Sequence, residues 1–113
     1  MDPPNNLDEI LTALANRRRR YALYHLREEE ILELEALARR VAAWEADSPP
    51  DEVADDEVRR LRVEFHHEHV GVFREAACIE YDDRSGVVRY RDPPEPLPAL
   101  LDVFSDLEHP DGE

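Results

Sequence analysis

The sequence predicts a mainly helical α+β fold. Two observations carry this. Apolar residues recur at helical spacing in five separate stretches, and the period changes to two only once, between about residues 78 and 91. The length of 113 residues favours one folded unit with a small core.

The first helix opens in "NNLDEILTALAN". Leu7, Ile10, Leu11 and Leu14 fall at i, i+3, i+4 and i+7, on one face. Asn6 with Glu9 has the spacing of a capping box, with Asn in place of Ser or Thr. Residues 1–6 read as a flexible tail. Asn16 marks a break, and a second helix spans about 17–28, with Ala22, Leu23 and Leu26 inward and Tyr21 and Tyr24 flanking.

Ile31 and Leu32 form an extended lead-in to a third helix. That helix carries Leu34, Leu37, Ala38, Val41 and Trp44 at 3.6-residue spacing. "EADSPPDEVADD" reads as an exposed acidic loop. A fourth, long helix covers about 56–76. Val58, Leu61, Phe65 and Val72 share its inner side, Val70 and Phe73 lie beside them, and Asp55, Asp56 and Glu57 suit its positive N-terminal end.

"CIEYD" and "VVRYR" alternate as two short strands around the turn "DRSG", which makes one β-hairpin. "PPEP" then breaks the chain. Leu97, Leu100, Leu101, Phe104 and Leu107 give a last helix a narrow apolar stripe. The resulting division is a tail (1–6), a domain (7–92), a C-terminal helix suited to dimerisation (93–108) and a second tail (109–113).

Three helices, a long helix, a hairpin and a closing helix are the element order of a winged helix-turn-helix. The central stretch resembles the ArsR-like winged-helix group: "LEALARRVAAWE" is similar to its positioning helix, and "FREAACIEYDDRSGVVRY" to the end of its recognition helix and wing. "LDEILTALANRRRRYALYHL" and "FHHEHVGVFREAACIEYD" resemble more closely a family of small winged-helix proteins of haloarchaea with a domain of unknown function. The resemblance spans most of residues 7–91. It implies Gly before the first wing strand, where this chain has Ala77, and Pro in the recognition helix, where it has Gly71.

Composition points the same way. All 14 basic residues are arginine, against 28 acidic ones, for a formal net charge of -14. Such a surface suits molar salt, where the Debye length is about 3 Å and carboxylate repulsion is screened. The single cysteine, Cys78, permits no internal disulfide, and it reads as a small core thiol. No apolar run approaches a membrane span and no signal peptide is present, so a cytoplasmic location is expected.

Candidate function follows from the long helix. Its N-terminal half would enter the major groove with Arg59, Arg60, Val63 and His67 outward and Arg62 on the flank. The planar guanidinium fork suits guanine edges and phosphate alike. Arg84 at the hairpin tip would reach the backbone. In the run "NRRRRY", Arg17 and Arg18 are expected at DNA phosphates, and the other two arginines brace the first two helices. Arg19, on the Ala22/Leu23/Leu26 side, then needs a carboxylate such as Asp8 or Glu9.

The expected partners are double-stranded DNA and a second copy of the chain, the latter held through Leu97, Leu100, Leu101, Phe104 and Leu107. No cofactor is expected. His66 and His69, at i and i+3, are the best metal candidates, with Cys78 and His25 as further ligands. The reading adopted is no metal, with His69 buried and hydrogen-bonded. No phosphate loop, nucleophile elbow or isolated carboxylate pair indicates an enzyme. The rival function is a protein-interaction module on the same fold, since a chain of this charge should repel DNA. Carboxylates interrupting the arginine face would favour that rival.

Overall fold

A computed structural model describes residues 6–108. The two tails expected at 1–6 and 109–113 lie outside it, apart from Asn6. The element order is α1 (Leu7–Leu14), α2 (Arg17–Glu29), β1 (Ile31–Glu33), α3 (Leu34–Ala46), α4 (Asp55–Glu64), a π-helical turn (Phe65–His69), α5 (Val70–Glu75), β2 (Glu80–Asp82), β3 (Val87–Arg89) and α6 (Pro96–Glu108). A 3-10 turn, Pro50–Glu52, lies in the acidic loop. The class is mainly helical α+β with one small antiparallel sheet.

The helices bury most of the stripes that their spacing defines, though Leu7 and Leu11 of the α1 stripe stay exposed. Ile10, Leu23, Leu26, Leu37, Val41, Val58, Phe65 and Phe73 are all fully buried in one core. Tyr21 and Tyr24 are buried too. They pack around Trp44, with the Tyr21 ring edge-on at 5.2 Å. α2 is capped by Asn16, whose backbone is extended and whose side-chain oxygen accepts the Arg19 N–H. α3 ends at Asp47 in the left-handed region.

The expected capping box does not form. Asn6 turns away from its own helix and donates its side-chain amide to the Ala76 carbonyl, 70 residues on, at 3.0 Å. That bond ties the start of α1 to the end of α5. It uses a partner that no local pattern could supply.

The hairpin is also more than a hairpin. The lead-in Ile31–Glu33 pairs with β3, so the sheet has three antiparallel strands in the order β1-β3-β2. The register sets Leu32 and Tyr81 on either side of Val88. Those three apolar side chains form one row that packs on the core, and Val88 at its centre is fully buried.

The long helix carries its own irregularity. The Val70 N–H bonds back to the Phe65 carbonyl, five residues earlier. One extra residue in that turn rotates everything after it. Val70 and Phe73 therefore become the buried residues, and Val72, expected inward, is only half-buried.

Ala77 adopts φ +57° all the same, in a turn that glycine usually occupies. Its N–H bonds to Arg74 O, and the Cys78 N–H reaches back to Phe73 O at 2.9 Å, closing α5 as a glycine-type C-terminal cap would. Gly71 sits exposed in α5 with open space where a Cβ would stand.

Two opposite substitutions should both stabilise the protein. Gly71→Ala should add about 1 kcal/mol by lowering the entropy of the unfolded chain. Ala77→Gly should add about 1 kcal/mol by relieving the left-handed strain. Each should raise the melting temperature by about 4–8 °C. Thermal denaturation at fixed KCl checks both.

Candidate nucleic-acid interface

The candidate interface is built on α4 and the β2–β3 hairpin. Val58 and Leu61 of α4 point inward and are buried, so Arg59, Arg60 and Val63 are exposed, as the helical period requires. His67, on the following π turn, is exposed, and Arg62 is half-buried on the flank. Arg62 shares a shallow recess with Tyr81, Ser85 and Gly86 of the hairpin, which joins helix and hairpin on one side.

The partners of the arginines sort them. Arg59 has a loose contact with Asp56 at 3.5 Å and stays mostly exposed. Among the described residues, Arg60, Arg62, Arg84, Arg89 and Arg91 make no side-chain hydrogen bond or salt bridge. All five lie on α4 or on the hairpin and its end. Arg84 stands at the tip, where its backbone N–H donates to Asp82. That bond, with help from Ser85, holds the Asp82 carboxyl below its usual range.

Carboxylates line the same recesses. Glu35 and Asp55 stand beside Arg59 and Arg62, Glu57 and Glu64 beside Arg60, and Glu33 and Glu35 between Arg62 and the hairpin turn. The arginine face is therefore interrupted by acids.

The run Arg17–Arg20 has a different part. Arg18, expected at phosphate, donates to Glu45 on α3 at 2.8 Å and to Glu64 on α4 at 2.7 Å. The hydrogen bond to Glu45 leads in raising its already high pKa. Two of its donors are thus spent inside the chain. Arg17 lies against Tyr21, donating to its hydroxyl at 2.9 Å, and remains exposed. Arg19 takes no carboxylate from α1. It donates to the Ala13 carbonyl at 3.0 Å, the Thr12 carbonyl at 2.9 Å and His69 Nδ1 at 3.1 Å. Arg20 donates to Leu14 O at 2.7 Å and makes a two-pronged pair with Glu108 on α6. The Tyr24 hydroxyl also donates to Glu108, at 2.6 Å. Burial and that bond together push the Tyr24 pKa up.

His69 is buried, and its Nε2 faces Glu64 at 2.8 Å. His66 lies instead on the surface, with Nδ1 3.2 Å from the Tyr81 hydroxyl. The i, i+3 pair thus serves two different neighbours. No group of three or more metal-binding side chains is gathered among the described residues. Cys78 is fully buried, and burial pushes its thiol up to about 12.

The apolar stripe of α6 is divided between the core and the surface. Leu97 and Leu101 are fully buried in the chain's own core, and Leu100 and Phe104 are half-buried. Leu107 remains exposed, joined by Val103, and Leu7 and Leu11 are exposed on α1. Among the described residues, no helix is long and apolar enough to cross a membrane.

The partners that sequence reasoning missed are Glu45, Glu64 and Glu108. Their only sequence signal is that each is one acid among 28.

Two predictions follow from this geometry. Burial would raise the Glu64 carboxyl, but the bonds from His69 and Arg18 outweigh it and hold it below the ordinary 4.5. A lowered folded-state pKa stabilises above the ordinary value, and that stability is lost as pH falls through the lowered one. Glu64→Gln should therefore lose stability at pH 7 and show a flatter acid limb below pH 4.5, read from melts across pH. Cys78 should resist a thiol-specific reagent at pH 8 in native protein and react at once in denaturant.

A family described as a domain of unknown function (DUF7344) matches residues 11–89, and the chain belongs to it. Neither the curated proteins nor the solved structures give a match.

Proposed function

We propose that this family member is a DNA-binding transcriptional regulator with a winged helix-turn-helix of the ArsR-like kind. In this reading α3 is the positioning helix, α4 the recognition helix and β2–β3 the wing. The protein works as a homodimer in the high-salt cytoplasm of a halophilic archaeon. The observation that carries the reading is the placement of free arginines. Acids outnumber arginines two to one, yet Arg60, Arg62, Arg84, Arg89 and Arg91 stay unpaired among the described residues. An arrangement indifferent to partners would scatter such residues over the surface. Here they collect on the helix and hairpin that a winged fold presents to DNA.

Contacts to DNA then come from Arg59, Arg60, Arg62, Val63 and His67, with Arg84 at the wing and Arg17 at the edge. Arg18 contributes by bracing. Guanine edges and phosphates are the matching chemistry. At molar salt, long-range repulsion by the acids is screened and counterion release yields little. Binding rests on short hydrogen bonds, apolar contact and released water. Its affinity should change little with KCl or rise with it; a steep fall with salt contradicts this.

The homodimer uses what α6 leaves uncovered. Leu107 and Val103, with half-buried Leu100 and Phe104, join Leu7 and Leu11 of α1. Arg20 supports the grouping, since one guanidinium holds both the α1 carbonyl of Leu14 and Glu108 at the end of α6. Val103→Asp with Leu107→Asp should shift sedimentation from dimer to monomer.

A second reading has its own observation. The acids beside Arg59, Arg60 and Arg62 suit a mixed-charge protein surface. In that reading the same face binds a protein. Genome-wide occupancy of the tagged protein in its native cell separates the two. Discrete peaks, weakened about tenfold or more in Arg60→Ala/Arg62→Ala, support the regulator. A flat profile from functional protein favours the interaction module.

A further inference from the structure

We propose that His69 is the positioning residue of the helix that carries the outward arginines: held between Arg19 and Glu64, it fixes the π turn that sets α4 against α5 and the core. Its consequence for DNA rests on the regulator reading; the positioning itself does not.

The spacing shows what the π turn does. An unbroken α-helix continuing Val58, Leu61 and Phe65 would turn 69, 72 and 76 inward. His69 and Ala76 are buried as that spacing requires, but Val70 and Phe73 are buried beside them and Val72 is only half-buried. One residue has been inserted, and the Val70-to-Phe65 bond marks where. Across it, His69 and Val70 both face inward.

A π turn is a rare and poorly packed conformation that needs support from its surroundings. His69 receives that support at both ring nitrogens. It is only 2% exposed and lies edge-on to Phe65. A guanidinium can only donate, so Nδ1 accepts from Arg19 and carries no hydrogen. Nε2 carries the hydrogen and donates to Glu64. The ring is thereby fixed as the Nε2–H tautomer.

The two partners are themselves anchored. Arg19 holds the last carbonyls of α1, and Glu64 holds Arg18, which holds Glu45 on α3. The imidazole thus couples α4 to α1, α2 and α3. Without an acceptor at Nδ1 and a donor at Nε2, a guanidinium arm and a carboxylate oxygen lose their partners together. The π turn then keeps only its apolar packing at Phe65 and Val70, and the direction of Arg59, Arg60 and Val63 loses its polar ties to the other helices.

Glutamine at 69 offers one acceptor and one donor, whereas leucine offers only volume. His69→Gln and His69→Leu therefore separate polarity from packing. Amide exchange at Val70 reads the π bond directly. In His69→Gln its protection should stay within about threefold of the parent, and in His69→Leu fall about tenfold or more. Duplexes enriched from a random library by the parent protein in 2–3 M KCl should follow the same order, at temperatures where all three proteins are folded. Equal Val70 protection in the two variants overturns the proposal. So does a long-range ¹H–¹⁵N spectrum of the parent showing the Nδ1–H tautomer, a measurement that stands even if His69→Leu fails to fold. If the parent enriches no duplex, the regulator reading falls, while Val70 protection and the tautomer still decide the positioning.

Discussion

The contacts of three consecutive guanidinium groups, Arg18, Arg19 and Arg20, hold this structure together. They stand at the start of α2, where cations oppose the helix dipole by about 0.3–1 kcal/mol each. The placement is offset by what they reach. Arg19 and Arg20 cover the Thr12, Ala13 and Leu14 carbonyls at the negative end of α1. Arg18 spans α3 and α4, and Arg20 clamps α6 through Glu108. Successive residues turn by about 100°, so the run points in different directions and serves several helices rather than one surface. Only arginine offers five donors in a rigid fork for such divided contacts.

This clamp explains how a small, strongly acidic chain divides its few cations. The arginines that meet carboxylates in partly buried places are less exposed to screening by molar salt than surface pairs. They work inside the fold. Among the described residues, those with neither a side-chain hydrogen bond nor a salt bridge lie on α4 and on the hairpin and its end, with carboxylates between them. A DNA contact made there would be short-ranged and directional, and orientation of the helix would matter more than total charge. His69 gains its importance from that. It links the clamp to the helix whose direction has to be set.

Much of the fold was legible in the chain. The 3.6-residue stripes located all five helical stretches, and the change to alternation at Ile79/Tyr81 and Val88/Tyr90 located the hairpin. The rest depended on distant partners. Ile31–Glu33 becomes a strand only because β3, more than 50 residues later, pairs with it. Asn6 has the form of a cap, yet its bond goes to Ala76. The π turn left one trace, Val70 and Phe73 lying just off the expected stripe, and ideal spacing absorbed it. At the candidate interface, the outward set Arg59, Arg60, Val63 and His67 was readable from the inward set. The engagement of Arg18 was not, because Glu45 and Glu64 look like any other surface acids. The burial of Leu97 and Leu101 was likewise hidden, since an apolar stripe does not say whether its own chain or a second copy covers it.

The stability of an Arg18→Lys/Arg19→Lys/Arg20→Lys variant tests the central role of the clamp most directly. Lysine keeps the charge and removes the fork, so a surface run of cations, or one reserved for DNA phosphates, would notice little. If the guanidinium contacts join α1, α3, α4 and α6, the melting temperature in high KCl should fall by about 10 °C or more. A variant melting within about 2 °C of the parent would contradict the account.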